Sequence, residues 1–210
     1  QTTKLCKMII DQKIKMIFLS SGGTVYGNQE IQPITEDALP RPINHYGNVK
    51  LCIENTIRTF NYQAHTKILI ARISNPYGPG QDFNKGVGFI DAAIKKTIRS
   101  EKIEIWGDGN NVRDYIYIDD VCRMLISLFY YQEDYDTFNI SSNTGTSQRD
   151  VIRMLEAMQL APQVEYLPAR SVDAKKIILN NERIMSIHAV PLVPVEQGIR
   201  KYYQWLKKEI

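Results

Sequence analysis

Two short, dense apolar runs constrain this chain more than any other feature in it. Lys15-Met-Ile-Phe-Leu-Ser20 and Ile68-Leu-Ile-Ala-Arg-Ile73 show no alternation of apolar and polar residues. A strand wetted on one face alternates, whereas a strand buried on both faces does not. Residues 46–63, between the runs, read as a helix. Strand, helix and strand in that order predict a parallel sheet covered by helices. A sheet of this kind needs a sizeable core, and 210 residues with 43% hydrophobic content can supply one.

The remaining elements follow the same rhythm. Leu5, Met8 and Ile9 fall at helical spacing, so the first dozen residues read as a helix. Gly22 to His45 is polar, and Pro33, Pro40 and Pro42 exclude a long helix there. A glycine-rich loop is expected over residues 75–88 and a helix over 89–99. Short strands are predicted at 103–106 and 112–118, around a turn made by Gly107, Gly109 and Asn110. Asp119 and Asp120 are placed as N-caps of a helix over 121–131. A strand at 138–140, a helix at 147–159, a strand at 164–167 and helices after Asn180 and Val195 complete the prediction.

Composition excludes several function classes. Lys plus Arg is 26 against 23 Asp plus Glu, a net charge of +3, with no stripe to attract nucleic acid or a membrane surface. The longest apolar stretch, 124–131, is well short of the ~20 residues of a membrane span. Cys6, Cys52 and Cys122 are odd in number and far apart, which argues against a disulfide framework or zinc site and for a reducing, cytoplasmic setting. His65 and His188 stand alone, without metal-ligand spacing, and His45 fits a helix start as well as an acid-base role.

One pair carries chemistry. Tyr46-Gly-Asn-Val-Lys50 sets a phenol and an ammonium one helical turn apart, and a nearby cation favours the phenolate needed for proton transfer. The spacing alone is uninformative: with 12 Tyr and 15 Lys, chance gives about one such pair, and Tyr203-Gln-Trp-Leu-Lys207 repeats it near the C-terminus. Context separates them. Tyr46 opens a helix shortly after a buried strand ending in Ser20-Ser-Gly-Gly, and ligands of open α/β sheets bind at strand ends.

In that context Phe18-Leu-Ser-Ser-Gly-Gly-Thr-Val-Tyr-Gly27, Tyr46-x-x-x-Lys50, Arg72-x-x-Asn-Pro-Tyr-Gly-Pro79, Trp106-Gly-Asp-Gly with Val112-Arg-Asp-Tyr-Ile-Tyr-Ile-Asp-Asp120, and Pro168-Ala-Arg-Ser-Val-Asp173 occur in order. Together they resemble the extended short-chain dehydrogenases/reductases, specifically nucleotide-sugar epimerases of the UDP-glucose 4-epimerase type. The resemblance implies a partial Rossmann-like, doubly wound parallel sheet with a smaller α/β substrate-binding lobe. Residues 1–78 and 114–140 would belong to the NAD-binding domain, and 79–113 with 141–210 to the nucleotide-sugar lobe. It implies NAD as cofactor, a UDP-sugar as substrate and a homodimer.

Site roles follow from the resemblance alone. Tyr46 would take the proton of the sugar 4-hydroxyl while hydride leaves C4. Lys50 would hold the nicotinamide ribose, and Ser20 would contact the cofactor. Gly22 stands where many members carry the helper hydroxyl, so Ser21 or Thr24 must supply it, with Ser21 favoured. Asn75, Arg113 and Arg170 would hold the nucleotide sugar and its diphosphate, and Asp173 the nucleoside ribose. Trp106 either lines the nucleobase site or ends its strand.

Dehydratases and decarboxylases of the family carry an acidic residue directly before Val-Tyr-Gly, and no carboxylate lies between Ser20 and Gly27. Epimerisation is therefore preferred, with a 4-keto-sugar reductase or an inactive nucleotide-sugar-binding fragment as alternatives. No Gly-x-x-Gly-x-x-Gly turn occurs in these residues, so the first βαβαβ half is expected to lie outside them.

Overall fold

The computed structural model describes residues 1–81, 88–169 and 174–209. Helix α1 (Thr2–Asp11) is followed by strand β1 (Ile17–Ser21), a one-turn helix α2 (Gly22–Val25), helix α3 (His45–Ala64) and strand β2 (Leu69–Ile73). Strand β3 (Asn75–Tyr77), helix α4 (Phe89–Ile98), strands β4 (Lys102–Trp106) and β5 (Val112–Tyr117), helix α5 (Ile118–Tyr130) and strand β6 (Thr137–Ile140) come next. Strand β7 (Gly145–Ser147), helix α6 (Gln148–Ala157), strands β8 (Gln163–Leu167) and β9 (Lys176–Ile177), and helices α7 (Glu182–Met185) and α8 (Val195–Glu209) complete the described order.

The first sheet is the parallel array β1-β2-β6, with Ile17 opposite Leu69 and Ile70 opposite Thr137. Strand parity decides which side chains meet which helix, because successive residues point to opposite faces. Ile68 and Ile70 pack with Cys6, Ile9 and Ile57 of α1 and α3. Leu69 and Ala71 pack with Val121, Met124 and Leu128 of α5. Both faces are covered, which is the physical reason the runs lack alternation. Arg72 has the parity of Ile70 and so points toward α3, as does Ser20 with the parity of Phe18.

A second sheet is built on β5, which pairs with β3 and β9 in parallel and with β7 antiparallel, while β4 pairs with β8. Its core joins Tyr77, Tyr115 and Tyr117 to Ile90 and Ile94 of α4, Val151 and Leu155 of α6, and Ile199, Tyr202 and Leu206 of α8. Each such aliphatic side chain, fully buried, contributes about 1.5–3 kcal/mol.

Two expectations need correction. The loop expected over 75–88 contains β3 at its start, where Asn75–Tyr77 pair with Tyr115–Tyr117. Helix α5 begins at Ile118, so Asp119 and Asp120 sit in its first turn, after the N-cap residue Tyr117. Asp120 is buried; it pairs with Arg123 and accepts the Val193 amide at 2.9 Å, anchoring the segment before α8. His188 Nδ1 lies 3.0 Å from the Ser127 hydroxyl. Among the described residues no helix is long and apolar enough to cross a membrane.

Candidate active site

The site is assembled where β1 ends. Ser21 precedes α2 in extended conformation and its hydroxyl makes no capping bond. Gly22 has no space for a side chain, since a Cβ there would lie 2.3 Å from Leu179 Cδ1. Thr24 turns its hydroxyl back toward the Ser21 carbonyl at 3.4 Å. Helix α3 starts against this turn: Asn44 caps it by accepting the Gly47 amide at 2.8 Å, and a Cβ on Gly47 would approach the Thr24 carbonyl to 2.5 Å. Only glycine lets the helix start come that close. His45 is simply its first residue, exposed to solvent.

Tyr46 is 57% exposed at the helix start. The Lys50 ammonium lies 5.6 Å from the Tyr46 ring centre and 5.0 Å from that of Phe18, and it donates to the Leu19 carbonyl at 2.8 Å. One bond leaves two of its three donors without a partner among the described residues. The structure thus gathers Tyr46, Lys50, Ser21 and Thr24 around one strand end.

Below them runs a buried polar chain. Ser20 donates to Glu54 at 2.5 Å, and Arg72 binds both Glu54 oxygens at 2.7–3.2 Å. Burial would raise the Glu54 carboxyl, but the Arg72 hydrogen bonds and charge pull it below its ordinary value. The Arg72 guanidinium stacks 4.7 Å from the Tyr26 ring centre, and the Tyr26 hydroxyl donates to Asn139 at 2.7 Å. Burial pushes the Tyr26 phenol up to about 12, so it is a structural hydrogen-bond donor and not a base.

Asn75 links the strand end to a cavity. A Cβ on Gly23 would lie 3.7 Å from the Asn75 carboxamide, whose nitrogen donates to the Asp114 carbonyl at 3.0 Å. Asn75 and Arg113 both line a cavity of about 210 Å³ together with Asn111, Tyr115 and Gln148. Trp106 ends β4 and lines a neighbouring cavity of about 470 Å³, with Asn111 common to the two. Arg170 and Asp173 lie outside the described residues.

Two residues at this site escape sequence reasoning. Gln148 reaches the cavity because Ser147, its neighbour, pairs with Val112 beside Arg113, and its Oε1 is buried without a partner. Nothing short of the antiparallel β5–β7 register reveals that. Asp114, next to Arg113, is fully buried. Burial raises its carboxyl to about 6, even though it accepts bonds from Ser74, Ser142, Asn143 and Leu179. No group of His, Cys, Asp and Glu side chains among the described residues is placed to hold a metal ion.

The family model described as NAD dependent epimerase/dehydratase family matches residues 1–141. The dTDP-4-dehydro-6-deoxyglucose reductase of Escherichia coli is 33% identical over 189 residues, covering 89% of this chain and 60% of that protein. The UDP-glucose 4-epimerase of Thermotoga maritima with UDP-glucose superposes with a TM-score of 0.91 at 30% identity, over 99% of this chain and 68% of that one. MoeE5, in complex with UDP-glucose and NAD, superposes with a TM-score of 0.88 at 27% identity, over 99% and 70%. The chain spans about half to two-thirds of the length of the curated relatives it matches.

Proposed function

The chain belongs to the NAD-dependent epimerase/dehydratase family, and from that premise we propose that the full-length protein inverts C4 of a nucleotide sugar, with a UDP-sugar as substrate. The observation carrying this reading is the composition of the strand-end turn. It brings Tyr46, Lys50 and the Ser21 and Thr24 hydroxyls to one place, with no carboxylate between Ser20 and Gly27 to drive an elimination.

The residues present fit the nicotinamide end of the family's NAD. Lys50 has donors to spare for a ribose hydroxyl, and the Gly22-Gly23 segment offers bare backbone. Ser20 donates its hydroxyl hydrogen bond to Glu54, so it meets the cofactor through its main chain. When bound, NAD would supply the hydride acceptor for C4, and return of that hydride to the opposite face of the turned 4-keto sugar would invert the centre. Tyr46 Oη takes the 4-hydroxyl proton and gives it back, while Ser21 Oγ holds the sugar oxygen in line. Asn75 and Arg113 hold the rest of the nucleotide sugar in the 210 Å³ cavity, Arg113 through the diphosphate. Arg170 and Asp173 complete the proposed set. Residues 79–113 and 141–210 serve as the nucleotide-sugar lobe, 1–78 and 114–140 as part of the NAD-binding domain, and the protein acts as a homodimer.

One observation favours a second reading. The 33%-identical relative is a reductase of a 4-keto sugar, and that chemistry needs the same Tyr and Lys. Incubating full-length protein with UDP-, dTDP- and GDP-hexoses and with a dTDP-4-keto sugar separates the two. An epimerase yields the C4 epimer with no net change in nicotinamide absorbance. Stoichiometric consumption of NADH by the keto sugar alone would establish the reductase instead.

A further inference from the structure

Tyr46, Lys50 and Glu54 lie at successive i, i+4 positions, so they share one face of α3. The first two lie at the end of β1, but Glu54 is completely buried and reaches across to two strands of the first sheet, β1 and β2. Two consecutive residues of β1 are thereby tied to two consecutive turns of α3: the Leu19 carbonyl to Lys50 at 2.8 Å, and the Ser20 hydroxyl to Glu54 at 2.5 Å. Arg72, 1% exposed, completes the connection from β2.

Stability gives little reason for this arrangement. Removing charges from water costs about as much as their attraction returns, and apolar side chains of similar size serve a core as well or better. Here the cost is visible, because Arg72 Nη1 is buried without a hydrogen-bond partner. What an apolar pair could not supply is direction. A carboxylate fixed by a bidentate guanidinium holds the Ser20 hydroxyl at one angle, and Ser20 shares a peptide unit with the carbonyl that holds Lys50.

We propose that Glu54, acting through Ser20 and Arg72, is a positioning residue: it fixes the last peptide units of β1 so that Lys50 is held beside Tyr46. This rests on the catalytic reading of Tyr46 and Lys50, and the experiment keeps the two separable.

Full-length protein as purified is compared with Ser20→Ala, Ser20→Thr and Glu54→Gln. Two quantities are read: turnover of the nucleotide sugar, and the rate at which N-hydroxysuccinimidyl acetate acetylates Lys50, measured by mass spectrometry against Lys207. Ser20→Ala keeps the ion pair and loses only the tie to β1, so it remains informative even if Glu54→Gln does not fold. It should lower kcat on the order of 10-fold with KM nearly unchanged, as sub-ångström misplacement does. Lys50 acetylation should rise by roughly the factor of 3 that a loosened ammonium permits. Ser20→Thr, which keeps the hydroxyl, should recover most of both.

Unchanged kcat and unchanged Lys50 acetylation, with only a lower melting temperature, would overturn the proposal. So would a fall in kcat that tracks loss of NAD while Lys50 acetylation stays constant. If the unsubstituted protein turns over no nucleotide sugar, the catalytic reading fails, and the acetylation rates alone decide whether Glu54 positions Lys50.

Discussion

The molecule contains two Tyr-x-x-x-Lys pairs, and internally they are the same object. Lys50 lies 5.6 Å from the centre of the Tyr46 ring, and Lys207 lies 5.7 Å from that of Tyr203. Their surroundings differ completely. Lys50 is held by the Leu19 carbonyl at the end of a buried strand, next to a turn whose glycines let the backbone approach. Tyr203 packs against the tyrosine-rich second core, and Lys207 sits in the last turn of α8 in solvent. A cation over a phenol is a property of helical spacing; a reaction site additionally needs an open strand end and something to fix the ammonium.

The sharpest way to break that comparison is to delete one oxygen. Tyr46→Phe removes the proposed proton acceptor while its exposed ring and the helix cap stay in place. Turnover of the full-length protein should fall by ~10³-fold or more, with nucleotide-sugar binding by calorimetry close to unchanged. Lys50→Met should act in the same direction. Ser21→Ala should cost ~10²-fold, and Thr24→Ala less, because Thr24 already directs its hydroxyl to the Ser21 carbonyl. Loss of binding in parallel with loss of rate would mean that Tyr46 holds substrate and does not move a proton.

The surroundings are also where sequence reasoning stops. The strands at 17–21 and 69–73 and the helix at 45–64 are legible because double-sided burial and a 3.6-residue period leave separate marks. Strands β3, β7 and β9 are two or three residues long and too short for any period to show. Tyr46 and Lys50 are legible because their spacing is local. Gln148 and the Ser20–Glu54–Arg72 chain are not, because they depend on register between strands far apart in sequence. Asp119 and Asp120 show the opposite failure. Acidic residues ahead of an apolar run look like caps, yet Asp120 is used for a tertiary contact.

A smaller effect is expected where the two sheets meet. Asp114 accepts bonds from Ser74, which follows β2, and from Ser142 and Leu179. Its native carboxyl is raised from 3.8 to about 6 by burial, so the folded state keeps a proton that the unfolded chain releases earlier. Its contribution to stability is therefore complete below pH ~4 and is lost as pH rises through about 6. Asp114→Asn should lower the melting temperature throughout, because an amide N–H would face backbone donors. The gap between the two proteins should narrow by roughly 5–10 °C from pH 4 to pH 7. A constant gap would show that Asp114 is ionised throughout, and that its hydrogen bonds outweigh burial.

The smallest effect falls on the second pair, and it is the control that gives the first its meaning. Lys207 is solvated, so removing its charge costs no buried interaction, and a solvated cation over a partly buried ring contributes about 0.5 kcal/mol. Tyr203 shows no hydrogen bond from its hydroxyl among those described, whereas its neighbour Tyr202 bonds the buried Asp91. Tyr203→Phe and Lys207→Met should thus shift the melting temperature by only about 1–2 °C and leave turnover unaltered. Tyr202→Phe is the informative contrast on the same helix. It strips a donor from Asp91, which is paired with Lys95 at 2.9 Å in the second core, and should destabilise the protein by more than either change at 203 or 207. If Tyr203→Phe slowed turnover as Tyr46→Phe is expected to, helical spacing alone would be sufficient for the chemistry. The strand end, the glycines and the Leu19 carbonyl would then have no part in choosing between the pairs.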